Sequence, residues 1–188
     1  MSIWQKMNLP NKITMARFVA ALVFVLVVSL GDGWVIDVIA GLIFIVASCT
    51  DFIDGYIARS RNLVTTFGKF MDPLVDKVLV TAALIALVEM GRVAAWVVVL
   101  ILVRELAITG LRTIAVSEGV VIAAAPMGKL KTTCQMVAIA FLLLCTVPFL
   151  PQAFLWYCGQ LLMYAALVLT LISGWDYLVK CRDLLSDM

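Results

Sequence analysis

Residues 34–58 read WVIDVIAGLIFIVASCTDFIDGYIA, an apolar run with two aspartates, Asp51 and Asp54, near its end. A helix that crosses a bilayer needs about 20 predominantly apolar residues, so this run is long enough to span a membrane. Further apolar runs lie on either side of it, at residues 13–31, 72–90, 93–116, 130–149 and 153–178. The sequence therefore predicts an all-α membrane protein with six transmembrane helices.

The composition agrees with this fold class. Of the 188 residues, 64% are hydrophobic and 14% are charged, and the mean hydropathy is +1.12. A soluble domain is about 45–50% apolar and about 25% charged. Six spans would occupy about 120 residues, so we expect residues 1–188 to form a single membrane domain. The first apolar run has no small-residue cleavage motif, which predicts a retained helix rather than a signal peptide.

The basic residues indicate the orientation of the chain. An even number of spans places both termini on one side of the membrane, and 14 residues are Lys or Arg. With this topology only Arg92 falls on the side opposite the termini. By the positive-inside rule, both termini and the 59–71 and 117–129 loops are predicted to be cytoplasmic.

The chain has no histidine, which excludes Ser-His-Asp triads, His-Cys zinc sites and phosphohistidine chemistry. Any metal must be held mainly by oxygen ligands, as Mg²⁺ and Mn²⁺ are. The five cysteines show no C-x-x-C spacing and are expected to be small apolar side chains.

Four aspartates are concentrated around the connection between the second and third apolar runs. Asp51 and Asp54 are three residues apart, and Asp72 and Asp76 are four apart, so each pair shares a helix face. Ionisable residues within spans are candidate functional residues. An antiparallel hairpin can direct all four carboxylates to one point, where hard divalent cations would offset their repulsion. Two-metal sites of this kind clamp the attacking and leaving oxygens of a displacement.

Small residues accompany the aspartates at Gly55, Ala58 and Gly68. Without bulky side chains, the backbone can approach a ligand or another helix closely. Helix packing through small residues is common in membranes. Beside four aspartates, close approach of a phosphate or nucleotide is the favoured interpretation.

The pattern D-x₂-D-G-x₂-A-R-x₈-G-x₃-D-x₃-D resembles the signature of the CDP-alcohol phosphatidyltransferases. Its eight fixed positions are Asp51, Asp54, Gly55, Ala58, Arg59, Gly68, Asp72 and Asp76. The resemblance implies a bundle of six transmembrane helices in the bacterial cytoplasmic (inner) membrane, with the active site facing the cytoplasm. It also implies an enzyme that transfers a phosphatidyl group from CDP-diacylglycerol to an alcohol and releases CMP. A homodimer is carried over from the family as an expectation.

The resemblance also assigns roles to the residues of the pattern. Asp51, Asp54, Asp72 and Asp76 would coordinate Mg²⁺ or Mn²⁺, as two ions, and Asp76 would be the general base. The nucleotide of CDP-diacylglycerol would lie near Gly55, Ala58, Arg59, Gly68 and Asp51. The first motif of the family would add Asn11 and Thr14, although both could instead cap the first helix.

Four basic residues in or next to the fourth and fifth runs indicate what kind of alcohol is the acceptor. Arg104 and Arg112 are separated by about 80° around a helix, so both can face one cavity. Lys129 and Lys131 diverge by about 200°, so one of them is expected to face the site. Together they predict a phosphorylated acceptor, although such residues can also extend to lipid headgroups. Glu105, directly after Arg104, is a candidate ion-pair partner elsewhere in the bundle.

Three further stretches resemble the branch of the family that uses sn-glycerol 3-phosphate and makes phosphatidylglycerol phosphate. They are residues 8–17, 104–112 and 128–136. Inositol phosphate, phosphatidylglycerol and serine remain alternative acceptors. A divalent-cation or proton-coupled transporter is a different alternative. It is disfavoured because the aspartates are confined to one face and the outward half has few ionisable residues. A non-enzymatic scaffold would not need four clustered carboxylates.

Overall fold

A computed structural model describes residues 9–60, 66–117 and 126–180, and these residues form six helices with no strand among them. In chain order they are α1 (Leu9–Ser29), α2 (Trp34–Ser60), α3 (Thr66–Glu89), α4 (Ala95–Ser117), α5 (Pro126–Leu144) and α6 (Gln152–Lys180). Some side chains within the helices lie outside the described part of the chain, namely those of residues 9–11, 51–60, 66–73, 76, 113–117, 126–127, 129 and 180.

The all-α prediction is confirmed, and each predicted run coincides with one helix. Two boundaries differ from those expected by more than about four residues, the uncertainty of a boundary read from sequence. α3 begins at Thr66 rather than at residue 72, because hydropathy locates the apolar part of a helix and not its polar first turns. α5 ends at Leu144 rather than at residue 149. Pro148 explains the earlier end, since proline lacks a backbone donor and restricts the residue before it.

The helices pack around one apolar core. α5 and α6 have the most extensive contact, α1 packs against both α2 and α3, and α4 packs against α6. Fully buried side chains come from every helix, among them Phe24, Phe44, Leu84, Ile101, Leu142 and Met163. At Gly159 of α6, an added Cβ would lie 2.8 Å from Cγ of Leu142. A small residue is therefore needed where α5 and α6 approach most closely.

The outer surface of the bundle is apolar. Large hydrophobic side chains are exposed on several helices, including Leu26, Val46, Val103, Leu161 and Trp175. An apolar surface of this extent is typical of a protein that faces lipid. By length and composition alone, two helical segments of the described residues could cross a membrane, Lys12–Ser29 and Gln152–Val179.

The turn after α3 places Arg92 at one end of the bundle. Gly91 has a φ of 67°, a left-handed conformation that glycine adopts without strain. Its N–H donates to the carbonyl of Val88 (3.0 Å), and the N–H of Arg92 donates to the carbonyl of Leu87 (2.8 Å). This pair of bonds is the Schellman arrangement that ends many helices. It directs the next residues back across the end of the bundle.

Arg92 forms a buried ion pair with Asp37 of α2. The distance between Nη2 and Oδ2 is 2.5 Å, and the two side chains are 11% and 4% exposed. Nη1 of Arg92 donates to the carbonyls of Leu142 (2.9 Å) and Leu143 (3.2 Å), in the last turn of α5. The hydroxyl of Thr146 also donates to Asp37. A cation at the C-terminus of a helix satisfies carbonyls that have no partner within the helix.

The Arg92–Asp37 pair generates a prediction about stability. We expect Arg92→Met to lower the free energy of unfolding by about 3–5 kcal/mol, because it leaves a buried carboxylate without its cation. Thermal unfolding of the purified protein in detergent would measure the loss. The double variant Arg92→Met/Asp37→Leu should recover part of it, and Asp32→Asn, at an exposed aspartate nearby, is the surface control. An unchanged melting temperature for Arg92→Met would contradict the role of the pair.

Candidate functional site

The opposite end of the bundle contains the ends of the helices that carry the predicted carboxylates. α2 and α3 are connected by residues 61–65 only, so the end of α2 and the start of α3 lie on the same side. This half of the bundle includes the backbone of all four predicted metal ligands, Asp51, Asp54, Asp72 and Asp76. Their side chains lie outside the described residues, and the arrangement of the carboxylates stays a prediction.

The chemistry of this donor set suits a hard divalent cation, because all four side chains offer carboxylate oxygens. Among the side chains that the structure describes, no group of three or more His, Cys, Asp or Glu residues could hold a metal ion. The helix ends around residues 61–65 therefore remain the candidate metal centre.

The predicted nucleotide-binding residues lie on the same helix ends and on α1. Gly55, Ala58 and Arg59 are on α2 and Gly68 is on α3, in segments whose side chains are not described. Asn11 is on the first turn of α1, and its side chain is likewise not described. Thr14 is only 3% exposed and lies well inside α1, so it does not cap that helix.

Arg17 is the second buried polar residue of α1, at 4% exposure. It lies three residues after Thr14, on the same face of the helix. Arg17 was not among the predicted site residues, although it ends the 8–17 stretch, and a buried guanidinium is costly unless it has partners. Because only residues 30–33 connect α1 to α2, the start of α1, with Thr14 and Arg17, lies on the same side of the bundle as the end of α2.

A cluster of charged side chains joins α3, α4 and α5, near the middle of α3 and α4. Glu105 of α4 is at its centre. Its Oε2 accepts a hydrogen bond from Nζ of Lys77 on α3 at 3.0 Å, and its Oε1 accepts one from Nζ of Lys131 on α5. Nη1 of Arg104 lies 3.7 Å from Oε1. We call these four residues, Lys77, Arg104, Glu105 and Lys131, the basic cluster.

The basic cluster is only partly open to solvent. The side chain of Lys131 is 5% exposed, that of Arg104 15%, that of Glu105 27% and that of Lys77 34%. Charges in such surroundings interact more strongly than charges in water. Three cations against one carboxylate leave a surplus of positive charge, which suits an anionic ligand.

Arg104 also connects α4 to α6. Its Nη2 donates to Oγ of Ser173 at 2.8 Å, and its side chain crosses Gly174, where an added Cβ would lie 2.9 Å from Cγ of the arginine. The Nε of Arg104 is buried and has no hydrogen-bond partner in the described part of the chain. A buried donor without a partner is unfavourable, so this group could be satisfied by an anion.

The four predicted acceptor-binding residues are not all brought together. Arg104 and Lys131 belong to the basic cluster. Arg112 is exposed, and the side chain of Lys129 lies outside the described residues. Lys131 is buried, and the expectation that one of the two lysines faces the site stays a prediction.

Lys77 and Glu105 were not among the predicted site residues. Both are ionisable residues within apolar helices, and that signal alone could have marked them. Their pairing could not be read from the sequence, because they are 28 positions apart on different helices.

A cavity of about 200 Å³ adjoins the basic cluster, between α3, α4 and α5. Its polar lining comes from Lys77, Glu105, Thr132 and Gln135, and the remaining walls are largely apolar. A second, larger groove of about 890 Å³ runs along α1 and α3 with mostly apolar walls, and Lys77 also lines it. The site thus combines a polar chamber with an adjacent apolar surface.

Comparison with known proteins identifies a family. The model of the family described as CDP-alcohol phosphatidyltransferase matches residues 7–172. The chain is 43% identical over 184 residues to a CDP-diacylglycerol–glycerol-3-phosphate 3-phosphatidyltransferase of Bacillus subtilis, covering 92% of this chain and 94% of that protein. It is 37% identical to the protein of that name from Rickettsia bellii, with 93% and 96% covered. It is 42% identical to a probable phosphatidylglycerophosphate synthase of Mycobacterium tuberculosis, with 94% and 83% covered.

Proposed function

The chain belongs to the CDP-alcohol phosphatidyltransferase family, and from this premise we propose that it is a phosphatidylglycerophosphate synthase. It transfers the phosphatidyl group of CDP-diacylglycerol to sn-glycerol 3-phosphate and produces phosphatidylglycerol phosphate and CMP. The names of relatives that are 37–43% identical over most of the chain support this activity. The observation that carries the choice of acceptor is the basic cluster, whose positive surplus suits a phosphate.

The reaction is a displacement at the phosphorus of the phosphatidyl group. A hydroxyl oxygen of the acceptor forms the new P–O bond, and the bond from that phosphorus to the oxygen of CMP breaks. Asp76 takes the proton of the hydroxyl, and CMP leaves with the electron pair of the broken bond. Positioning and electrostatic stabilisation contribute most of the catalysis in phosphoryl transfer.

Divalent metal fits the donor set described above. Asp51, Asp54, Asp72 and Asp76 would hold it as two ions of Mg²⁺ or Mn²⁺, which supply neutralisation of the pyrophosphate charge. Gly55, Ala58 and Gly68 would allow the cytidine end of the substrate to approach the backbone, and Arg59 would face its phosphates. Asn11 and Thr14 would complete the nucleotide site from α1.

The acceptor site is proposed to lie in the chamber beside the basic cluster. Lys77 is the residue after Asp76 on α3, so the cluster is adjacent in the chain to the proposed base. Ammonium and guanidinium groups donate charge-assisted hydrogen bonds to phosphate oxygens. Lys77 lines this chamber, and the buried Lys131, which donates to Glu105, is the donor with the least competition from water. Arg112 and Lys129 would assist at the entrance from the cytoplasm.

The proposed membrane placement follows from the distribution of charge. All six helices would cross the bacterial inner membrane, with both termini and the active site on the cytoplasmic side. In this orientation the helix ends that carry the aspartates would lie on the cytoplasmic side, and Arg92, paired with Asp37, would lie on the opposite side. A water-soluble acceptor could then reach the site from the cytoplasm while the acyl chains of CDP-diacylglycerol remain in the bilayer. A homodimer is proposed from the family alone.

The function is tested by CMP release from CDP-diacylglycerol in the presence of Mg²⁺ and sn-glycerol 3-phosphate. Asp76→Asn should lower kcat by at least about 100-fold, because general-base catalysis contributes about 10²–10⁴-fold. Binding of CDP-diacylglycerol should persist in that variant. Inositol 1-phosphate, serine and phosphatidylglycerol in parallel reactions identify the acceptor. Absence of CMP release by the wild-type protein with every acceptor would contradict the proposed function, and a near-normal rate for Asp76→Asn would contradict the assigned base.

The metal requirement gives a separate prediction. Addition of a chelator should abolish CMP release, and excess Mg²⁺ or Mn²⁺ should restore it, because four carboxylates without cations repel one another and the pyrophosphate. Titration of Mg²⁺ into Asp54→Asn should give a higher half-saturating concentration than in the wild-type protein. Full activity in the presence of the chelator would rule out a metal-dependent reaction.

A further inference from the structure

We propose that Glu105 is a positioning residue of the acceptor site, which holds Lys77 and Lys131 in place for the phosphate of the acceptor. This inference rests on the proposed function, because it assigns a role within that site. Glu105 belongs neither to the aspartate pattern nor to the predicted phosphate-binding residues. Its own charge is negative, so it cannot attract the phosphate directly.

The geometry of the carboxylate supports this role. One oxygen accepts from Lys77 at 3.0 Å and the other accepts from Lys131, so the two ammonium groups lie on either side of one rigid group. The lysines come from α3 and α5, and Glu105 comes from α4. Lysine side chains lose considerable rotamer freedom when they are ordered. A shared carboxylate supplies that order before the ligand arrives.

Burial explains why the cations need this partner. The side chain of Lys131 is 5% exposed, and an isolated charge in such a place is strongly unfavourable. Arg104 lies nearby, with its Nη1 3.7 Å from the same oxygen of Glu105. Without Glu105, three cations would face one another with little water between them. With it, the cluster keeps both a defined geometry and a positive surplus.

The chamber shows where the ligand would meet these groups. Lys77 and Glu105 line the cavity of about 200 Å³ together with Thr132 and Gln135, and Lys131 reaches Glu105 from α5. Each ammonium group has three N–H donors, so a lysine can donate to Glu105 and to a phosphate oxygen at once. Glu105 therefore acts through the lysines, and it would affect the acceptor rather than the lipid substrate.

The test is the kinetics of Glu105→Gln with both substrates varied. The amide keeps the shape of the side chain but offers one acceptor oxygen instead of two and no charge. We expect the KM for sn-glycerol 3-phosphate to rise at least about tenfold, as for the loss of one hydrogen bond to a charged group. The KM for CDP-diacylglycerol should change less than about twofold. Glu89→Gln makes the same substitution at an exposed glutamate at the far end of α3, and both KM values should stay at wild-type levels.

Two more variants separate positioning from a merely structural role. In Glu105→Gln/Lys131→Met the rise in KM should be no larger than in Lys131→Met alone, because Glu105 acts through that lysine. Glu105→Asp retains the charge and should restore part of the affinity for the acceptor. If Glu105→Gln does not fold, Glu105→Asp replaces it as the test variant. We then expect its KM to rise for sn-glycerol 3-phosphate and not for CDP-diacylglycerol.

The outcomes distinguish this inference from the proposed function. If wild-type protein releases no CMP with sn-glycerol 3-phosphate, the proposed function fails. If wild-type protein is active and Glu105→Gln has an unchanged KM for the acceptor, only the role of Glu105 fails. Equal rises in KM for both substrates, or additive effects in the double variant, would also overturn that role.

Discussion

A charge inside an apolar helix bundle needs a partner, and this constraint organises the described structure. An ionised side chain that leaves water without compensation is destabilised by several kcal/mol or more. The bundle meets this requirement with two separate polar clusters, one around Arg92 at an end of the bundle and one around Glu105, within a core of side chains such as Phe24, Leu84 and Ile101. Each cluster connects helices that are distant in sequence. The positions of the charges therefore help to determine which helices pack against one another.

The two clusters differ in their balance of charge. At one end of the bundle, Arg92 faces Asp37 and uses its remaining donors on carbonyls at the end of α5. Such a pair is satisfied within the protein and serves to hold helices together. In the basic cluster, Glu105 faces Lys77, Lys131 and Arg104. In the proposed function, this surplus of positive charge and the neighbouring cavity bind the phosphate of the acceptor.

The sequence was sufficient for the fold class. Hydropathy located all six helices because each apolar run exceeds the length of an ordinary strand. Helix ends were less predictable, as at Thr66 and Leu144, because polar turns extend helices and prolines shorten them.

The pairing of charges could not be predicted. Asp37 and Arg92 are 55 positions apart, and Lys131 and Glu105 are 26 apart. Their contacts depend on the rotation and depth of each helix in the bundle, which a single sequence does not specify. The same limit explains why Lys77 and Glu105 were absent from the predicted site although both are ionisable residues within apolar helices.

The central claim is that the basic cluster binds the phosphate of the acceptor. An experimental structure of the protein with sn-glycerol 3-phosphate bound would locate the phosphorus directly. The account predicts phosphate oxygens at about 2.7–2.9 Å from Nζ of Lys77 and of Lys131, the range of charge-assisted hydrogen bonds. A phosphate more than about 4 Å from both nitrogens, beyond the limit of an ion pair, would contradict it.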